Sequence, residues 1–185
     1  MCGIAGFTQF SNQFGTEKTL EKMGTAIIHR GPDAGGVYMD KKIGFCHRRL
    51  SIIDLSESGN QPMVSHDGRY ILVFNGEIYN FLSLREELER QNYPFKTHTD
   101  TEVLLALYAQ SGKELLSKIN GMFAFAIWDK EKQSLFIARD RIGKKPLYYY
   151  RKENDIVFAS ELKAMLTLPE IPRNIRIDAL YDFFA

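Results

Sequence analysis

Position 2 holds a cysteine, in Met1-Cys2-Gly3-Ile4-Ala5-Gly6-Phe7. Cysteine is small enough for removal of an initiator methionine to be routine. Removal would leave a thiol and a free α-amine on one residue. An α-amine titrates near ~7.7–8.0, far below a lysine, so at neutral pH a useful fraction can accept a proton. A terminal Cys2 would thus carry its own nucleophile and its own general base. Position alone does not separate this from a small buried hydrophobe.

Four other segments hold residues of chemical interest. In His47-Arg48-Arg49-Leu50-Ser51-Ile52-Ile53-Asp54, adjacent arginines in an apolar strand place one on each face. An inward arginine is costly unless it meets an anion. Its planar fork suits a carboxylate, such as that of a free amino acid. Taken alone, an internal ion pair with Asp54 or another acid is the commoner outcome. In Phe74-Asn75-Gly76-Glu77, Asn-Gly after an apolar strand is first of all a type I′ turn signal. The same pair could converge on one point as an oxyanion hole, with Glu77 receiving a substrate ammonium. Thr99-Asp100-Thr101-Glu102 reads as a helix cap. Asp100 could also face a bound amino group, and both readings can hold together. The segment 138–149 (ARDRIGKKPLYY) reads as a structural turn, because the Walker spacing of a phosphate loop is missing.

These residues need elements to hold them. Residues 2–10 read as a first strand and 17–29 as an amphipathic helix, with Leu20, Met23, Ala26 and Ile27 on one stripe. Short strands are expected near 36–39 and 43–53, and a loop over 56–68. Residues 70–74 are too short an apolar run for a helix, while 82–91 and 99–110 are helical. Residues 122–128 and 134–138 form a hairpin around the polar turn 129–133. Along 122–128 both faces are apolar, so both must be covered. The three helices could supply one outer layer. The expectation is a layered α/β sandwich with mostly antiparallel strands.

The 185 residues make one well-buried domain, with 44% hydrophobic and 25% charged content. Net charge is +1, so no global field favours nucleic acid or an anionic membrane as partner. No apolar run approaches a membrane span and no secretory signal is visible, so a cytoplasmic protein is expected. Cys2 and Cys46 are expected to be free thiols, Cys46 an ordinary one. No Cys/His spacing points to zinc, and no metal site is expected. His29 and His47 read as structural.

Nine segments in order resemble class II glutamine amidotransferases: MCGIAG at 1–6, HRGPD at 29–33, RRLSIIDLS at 48–56, QPM at 61–63, FNGEIYN at 74–80, TDTEVLL at 99–105, GMFAFAIWD at 121–129, ARDRIGKKPLYY at 138–149 and ASELKAM at 159–165. RLSIIDLS with NGEIYN resembles most the glutaminase domain of glutamine-dependent asparagine synthetases. The resemblance covers essentially the whole chain. It implies an α+β N-terminal-nucleophile hydrolase fold, a four-layer α/β/β/α sandwich. It implies Cys2 as nucleophile, Asn75 and Gly76 as oxyanion donors, and Arg49 as holder of the glutamine α-carboxylate. Leu50, Ile52 and Ile53 would form the substrate wall, and Glu77 and Asp100 would accept the ammonium. L-glutamine would be the ligand, with no cofactor in this domain. ATP and Mg would belong to a C-terminal synthetase domain, the expected partner, and a homodimer stays open. The stop inside an amphipathic segment at 177–185 reads as a truncated domain. An amidotransferase half serving another acceptor, and a non-catalytic glutamine-binding module, are the alternatives.

Overall fold

The computed structural model describes residues 1–9 and 15–184. Along the chain these form β1 (Gly3–Thr8), α1 (Glu17–Ala26), β2 (Ala34–Met39), β3 (Ile43–Arg49), β4 (Met63–Val64), β5 (Tyr70–Ile78), α2 (Phe81–Arg90), α3 (Asp100–Ser111) and α4 (Leu115–Lys118). There follow β6 (Gly121–Asp129), β7 (Ser134–Arg139), β8 (Tyr148–Lys152), β9 (Asp155–Ala159), α5 (Leu162–Met165) and α6 (Ile177–Phe184). One sheet has the order β2-β3-β1-β9-β8 and the other β4-β5-β6-β7. The strand pairings in both are antiparallel.

Side-chain alternation sorts the interior into three cores. On β6, Phe123, Phe125 and Ile127 face α2 and α3, where they meet Leu84, Leu88, Leu104 and Leu107. Ala124, Ala126 and Trp128 face the other sheet and pack with Ile4, Phe45, Ile71, Val73 and Phe158. Beyond the five-stranded sheet, Ala5, Phe7 and Val157 meet Leu20, Met23 and Ile27 of α1 and its following turn, with Ala164 and Met165 of α5. The result is the α/β/β/α sandwich, and the two-sided burial expected of 122–128 is its direct cause.

Several expectations are corrected. The three helices do not form one layer: α1 covers one sheet while α2 and α3 cover the other. The helix from residue 17 ends at Ala26, and Ile28–Arg30 is a tighter 3-10 turn. The first strand ends at Thr8; Phe10 lies outside the described residues. The strand expected over 43–53 stops at Arg49, where the chain leaves the sheet, and 56–68 contains a 3-10 turn (Glu57–Gly59) and the two-residue β4. Asn75-Gly76 does not turn at all. Both lie inside β5, opposite Ala124 and Phe123 of β6. Cross-strand pairing over nine residues outweighs the local turn preference of Asn-Gly.

Candidate active site

At one end of the sandwich a cavity of about 240 Å³ is lined by Cys2, Arg49, Leu50, Ile52, Ile53, Asn75, Gly76, Glu77 and Asp100. These are all nine residues expected from the sequence, delivered from four places: the start of β1, the end of β3 with its following loop, the end of β5, and the start of α3.

Cys2 precedes β1, whose Gly3 pairs with Arg48 of β3, so Cys2 lies across from the chain leaving β3. Its Sγ is 3.6 Å from the Leu50 carbonyl oxygen and receives the Leu50 N–H at 3.4 Å. Burial is the largest influence on the thiol and pushes its pKa up. The Cys2 carbonyl accepts a 2.9 Å hydrogen bond from Arg30 Nε, and Arg30 Nη1 is paired with Glu161 at 3.0 Å.

The two arginines do part to opposite faces. Arg48 Nε donates to the Gly24 carbonyl under α1, while Arg49 enters the cavity wall. Arg49 makes no ion pair with Asp54. Its Nη1 donates to the Ser56 carbonyl at 2.6 Å and to Asn60 Oδ1 at 2.9 Å, and its Nη2 to the Asp54 backbone carbonyl. The Asp54 carboxylate is instead held by Ser56. A guanidinium has five N–H donors. Among the described residues, Nε–H and one Nη2–H of Arg49 are left over. Two charged donors are thus left for an anion in the cavity.

Asn75 is 1% exposed, and among the described residues its Nδ2 has no hydrogen-bond partner. A buried amide donor without an acceptor costs about 1–3 kcal/mol and demands an explanation. Beside it, Gly76 has no room for a side chain: a Cβ would run into the Met122 carbonyl oxygen and the Phe123 Cα.

Asp100 is the first residue of α3 and is 5% exposed. Its Oδ2 accepts the Ile78 N–H at 3.0 Å, which ties α3 to the end of β5. Burial is the chief cause that pushes its pKa up to about 6, and the nearby Glu77 carboxylate adds to it. Thr99 caps the helix, its Oγ1 accepting the Glu102 N–H at 3.2 Å. The cap and the cavity-facing acid thus coexist.

The residues read as structural are placed accordingly. His47 is buried with Nε2 3.1 Å from the Phe74 carbonyl, and burial drives its pKa down to about 3, so it is neutral. His29 pairs with Glu161 on the surface. Cys46 is a free thiol in the core under α1, pushed up to about 12 by burial, and Cys2 is free too. Sequence reasoning missed Gln61, Thr101, Met122 and Lys145, which also line the cavity. Gln61 is locked in place by the Phe74 N–H on its Oε1 at 2.6 Å. Lys145 lies in a segment that was singled out, but spacing along the chain cannot show that this turn folds back to Cys2.

Fold and cavity together define a glutamine amidotransferase domain of the N-terminal-nucleophile hydrolase type. The whole chain, residues 1–185, matches the glutamine amidotransferase domain family and belongs to it. It is 47% identical over 172 residues to the glutamine-hydrolysing asparagine synthetase 1 of Bacillus subtilis, a match covering 90% of this chain and 27% of that protein. It is 43% identical over 188 residues to asparagine synthetase 2 of the same organism, covering 100% of this chain and 25% of that protein. The chain therefore spans about a quarter of the length of these relatives. Among solved structures, the glutamine phosphoribosylpyrophosphate amidotransferase of B. subtilis superposes with a TM-score of 0.74 at 24% identity, over 90% of this chain and 43% of that one. That likeness establishes the fold.

Proposed function

We propose that this chain hydrolyses L-glutamine to glutamate and ammonia through a γ-glutamyl thioester on Cys2, as the ammonia-supplying domain of an asparagine synthetase. The observation that carries it is the Asn75 amide, buried and unpartnered in the same cavity as the Cys2 thiol. An acyl-transfer oxyanion gives that donor the acceptor it lacks.

With Met1 removed, the Cys2 α-amine takes the thiol proton, directly or through a water. The sulfur attacks the glutamine side-chain amide, and Asn75 with Gly76 stabilises the oxyanion. The amine returns its proton to the leaving ammonia. Water then attacks the thioester, releasing glutamate and restoring the thiol. The two remaining donors of Arg49 hold the α-carboxylate. Asp100 and Glu77 accept the α-ammonium, which supplies the counter-charge that buried Asp100 otherwise lacks. Leu50, Ile52 and Ile53 wall the aliphatic part. A ligand lacking either charge leaves a polar group unpaired in the cavity, which supports selectivity for a free amino acid.

No cofactor is needed for these steps. The high identity to asparagine synthetases supports a further synthetase domain in the whole protein, which would use ATP, Mg and aspartate. No described helix is long and apolar enough to cross a membrane. The test is intact mass and glutamate release on one sample. Loss of Met1 together with glutamate formation that Cys2→Ala abolishes is the expected result. Processed protein that leaves glutamine untouched sinks the reading.

A further inference from the structure

The turn between β7 and β8 carries the chain from one sheet to the other, and it is unusually well tied. The Asp140 carboxylate accepts N–H groups from Phe123, Lys144 and Lys145 at 3.2, 2.8 and 3.0 Å. Arg139 donates to the carbonyls of Lys145 and Gly143 at 2.6 and 2.7 Å. Gly143 has φ of 67°, which glycine adopts without strain. These bonds fix the backbone of Lys145 and send its side chain inward. Lys144 beside it is exposed, whereas Lys145 is 4% exposed and lines the cavity with Cys2.

A buried ammonium ordinarily meets a carboxylate. Among the described residues none lies within 4 Å of Lys145 Nζ; its hydrogen bond goes to the Met1 thioether sulfur at 3.0 Å, a weak acceptor. On the proposed function, processing removes that sulfur and puts a new α-amine at the same end of the cavity. Arg30 already grips the Cys2 carbonyl, and among the described residues its buried Nη2 has no partner. Two cations from separate elements, the 28–30 turn and the 140–145 turn, thus flank the terminal residue.

We propose that Lys145 is a positioning residue of the glutaminase reaction: its ammonium faces the processed amino terminus and holds the Cys2 α-amine in its uncharged, proton-accepting form. Like charge at close range disfavours a second ammonium. The charged and titratable groups around this amine are the Cys2 thiol, Arg30 with its paired Glu161, Arg49 of β3, Glu77 of β5, Asp100 of α3 and Asp140 of the turn itself. Glu77 and Asp100 oppose Lys145 while the cavity is empty. Once glutamine sets its own ammonium between them they are neutralised, and the field of Lys145 remains, Arg30 being paired with Glu161. The amine is therefore at its most basic-form-rich when substrate is bound, which is when a base is needed.

The proposal rests on the glutaminase reading, so its test includes a readout independent of turnover. In processed Cys2→Ala protein, the pH dependence of α-amine acetylation, followed by peptide mass, gives the amine's midpoint directly. Adding Lys145→Met should raise that midpoint by about half to one pH unit, while Lys145→Arg restores it and Lys144→Met leaves it alone. In Cys2-containing protein the acidic limb of the glutaminase kcat profile should move up by the same amount, with KM little changed. An amine midpoint unmoved by Lys145→Met, in protein whose melting shows it folded, overturns the proposal. If Lys145→Met unfolds the chain, Lys145→Arg against Lys145→Gln supplies the same comparison. Processed protein that hydrolyses no glutamine while the midpoint still shifts would overturn the glutaminase reading, and with it the catalytic use of Lys145, but not the electrostatic coupling.

Discussion

Asn75 and Asp100 share one physical situation: each is a polar group buried at the cavity, and among the described residues neither has the partner its chemistry calls for, an acceptor for the amide and a cation for the carboxylate. Asn75→Ala should lower kcat about 100- to 1,000-fold with a small change in KM, because the lost bond forms only with the oxyanion. A comparable rise in KM would assign Asn75 to ground-state binding instead. Asp100 is raised to about 6, well above the ordinary carboxylate value. Below that pH it is neutral and cannot hold an ammonium. Glutamine affinity of the Cys2→Ala protein should therefore fall about tenfold per pH unit on the acid side of 6, as calorimetry would show. Stability moves the other way. Between pH 4 and 6 the folded chain holds a proton on Asp100 that the unfolded chain has released, so ligand-free stability drops as pH rises through this window. Asp100→Asn keeps an acceptor for the Ile78 N–H and removes the charge. Its melting temperature should exceed the wild type's above pH 6 and match it near pH 4, with glutamine turnover lost. Both residues were legible as types at suggestive spacing; their burial was not, because burial depends on what packs over them.

At the scale of elements, the cavity is a meeting of strand ends. Nine residues of β5 pair with β6 without interruption, and this carries Asn75 past the point where its Asn-Gly pair would otherwise turn. Gly76→Ala should cost about 1–3 kcal/mol in denaturant unfolding, since its Cβ would meet the Met122 carbonyl oxygen and the Phe123 Cα as well as the Phe74 ring. It should also impair turnover by moving Asn75. An unchanged unfolding midpoint would show that the strands can part at no cost. Thr99→Ala should cost about 1 kcal/mol by loss of the cap and loosen Asp100, which sits one residue further on. Helices α1, α2 and α3 and the hairpin at 121–139 were readable from the sequence pattern; the single-turn α4 and α5 were not. Among the misread elements, the Asn-Gly turn is the one where pairing partners distant in sequence overrule local preference.

Across the whole molecule, the core between the sheets holds the catalytic end in register. Phe45 and Phe158 meet edge-to-face there, 5.7 Å between ring centroids, close to Trp128. Phe158→Ala should lower stability by about 3–5 kcal/mol, and the single tryptophan reports the transition by fluorescence. A loss below about 1 kcal/mol would mean the two sheets repack freely. The apolar strands, the amphipathic helices and the run of motifs from Cys2 to ASELKAM were determined by the sequence alone, because covalent order and side-chain type carry periodicity and motif directly. Which helix covers which sheet, the freedom of Arg49 from the Asp54 carboxylate, the Asn75 amide left without a partner among the described residues and the approach of Lys145 to the amino terminus were decided only by tertiary structure. Each is a contact between segments far apart in the chain, set by how three cores pack at once rather than by any one segment's preference.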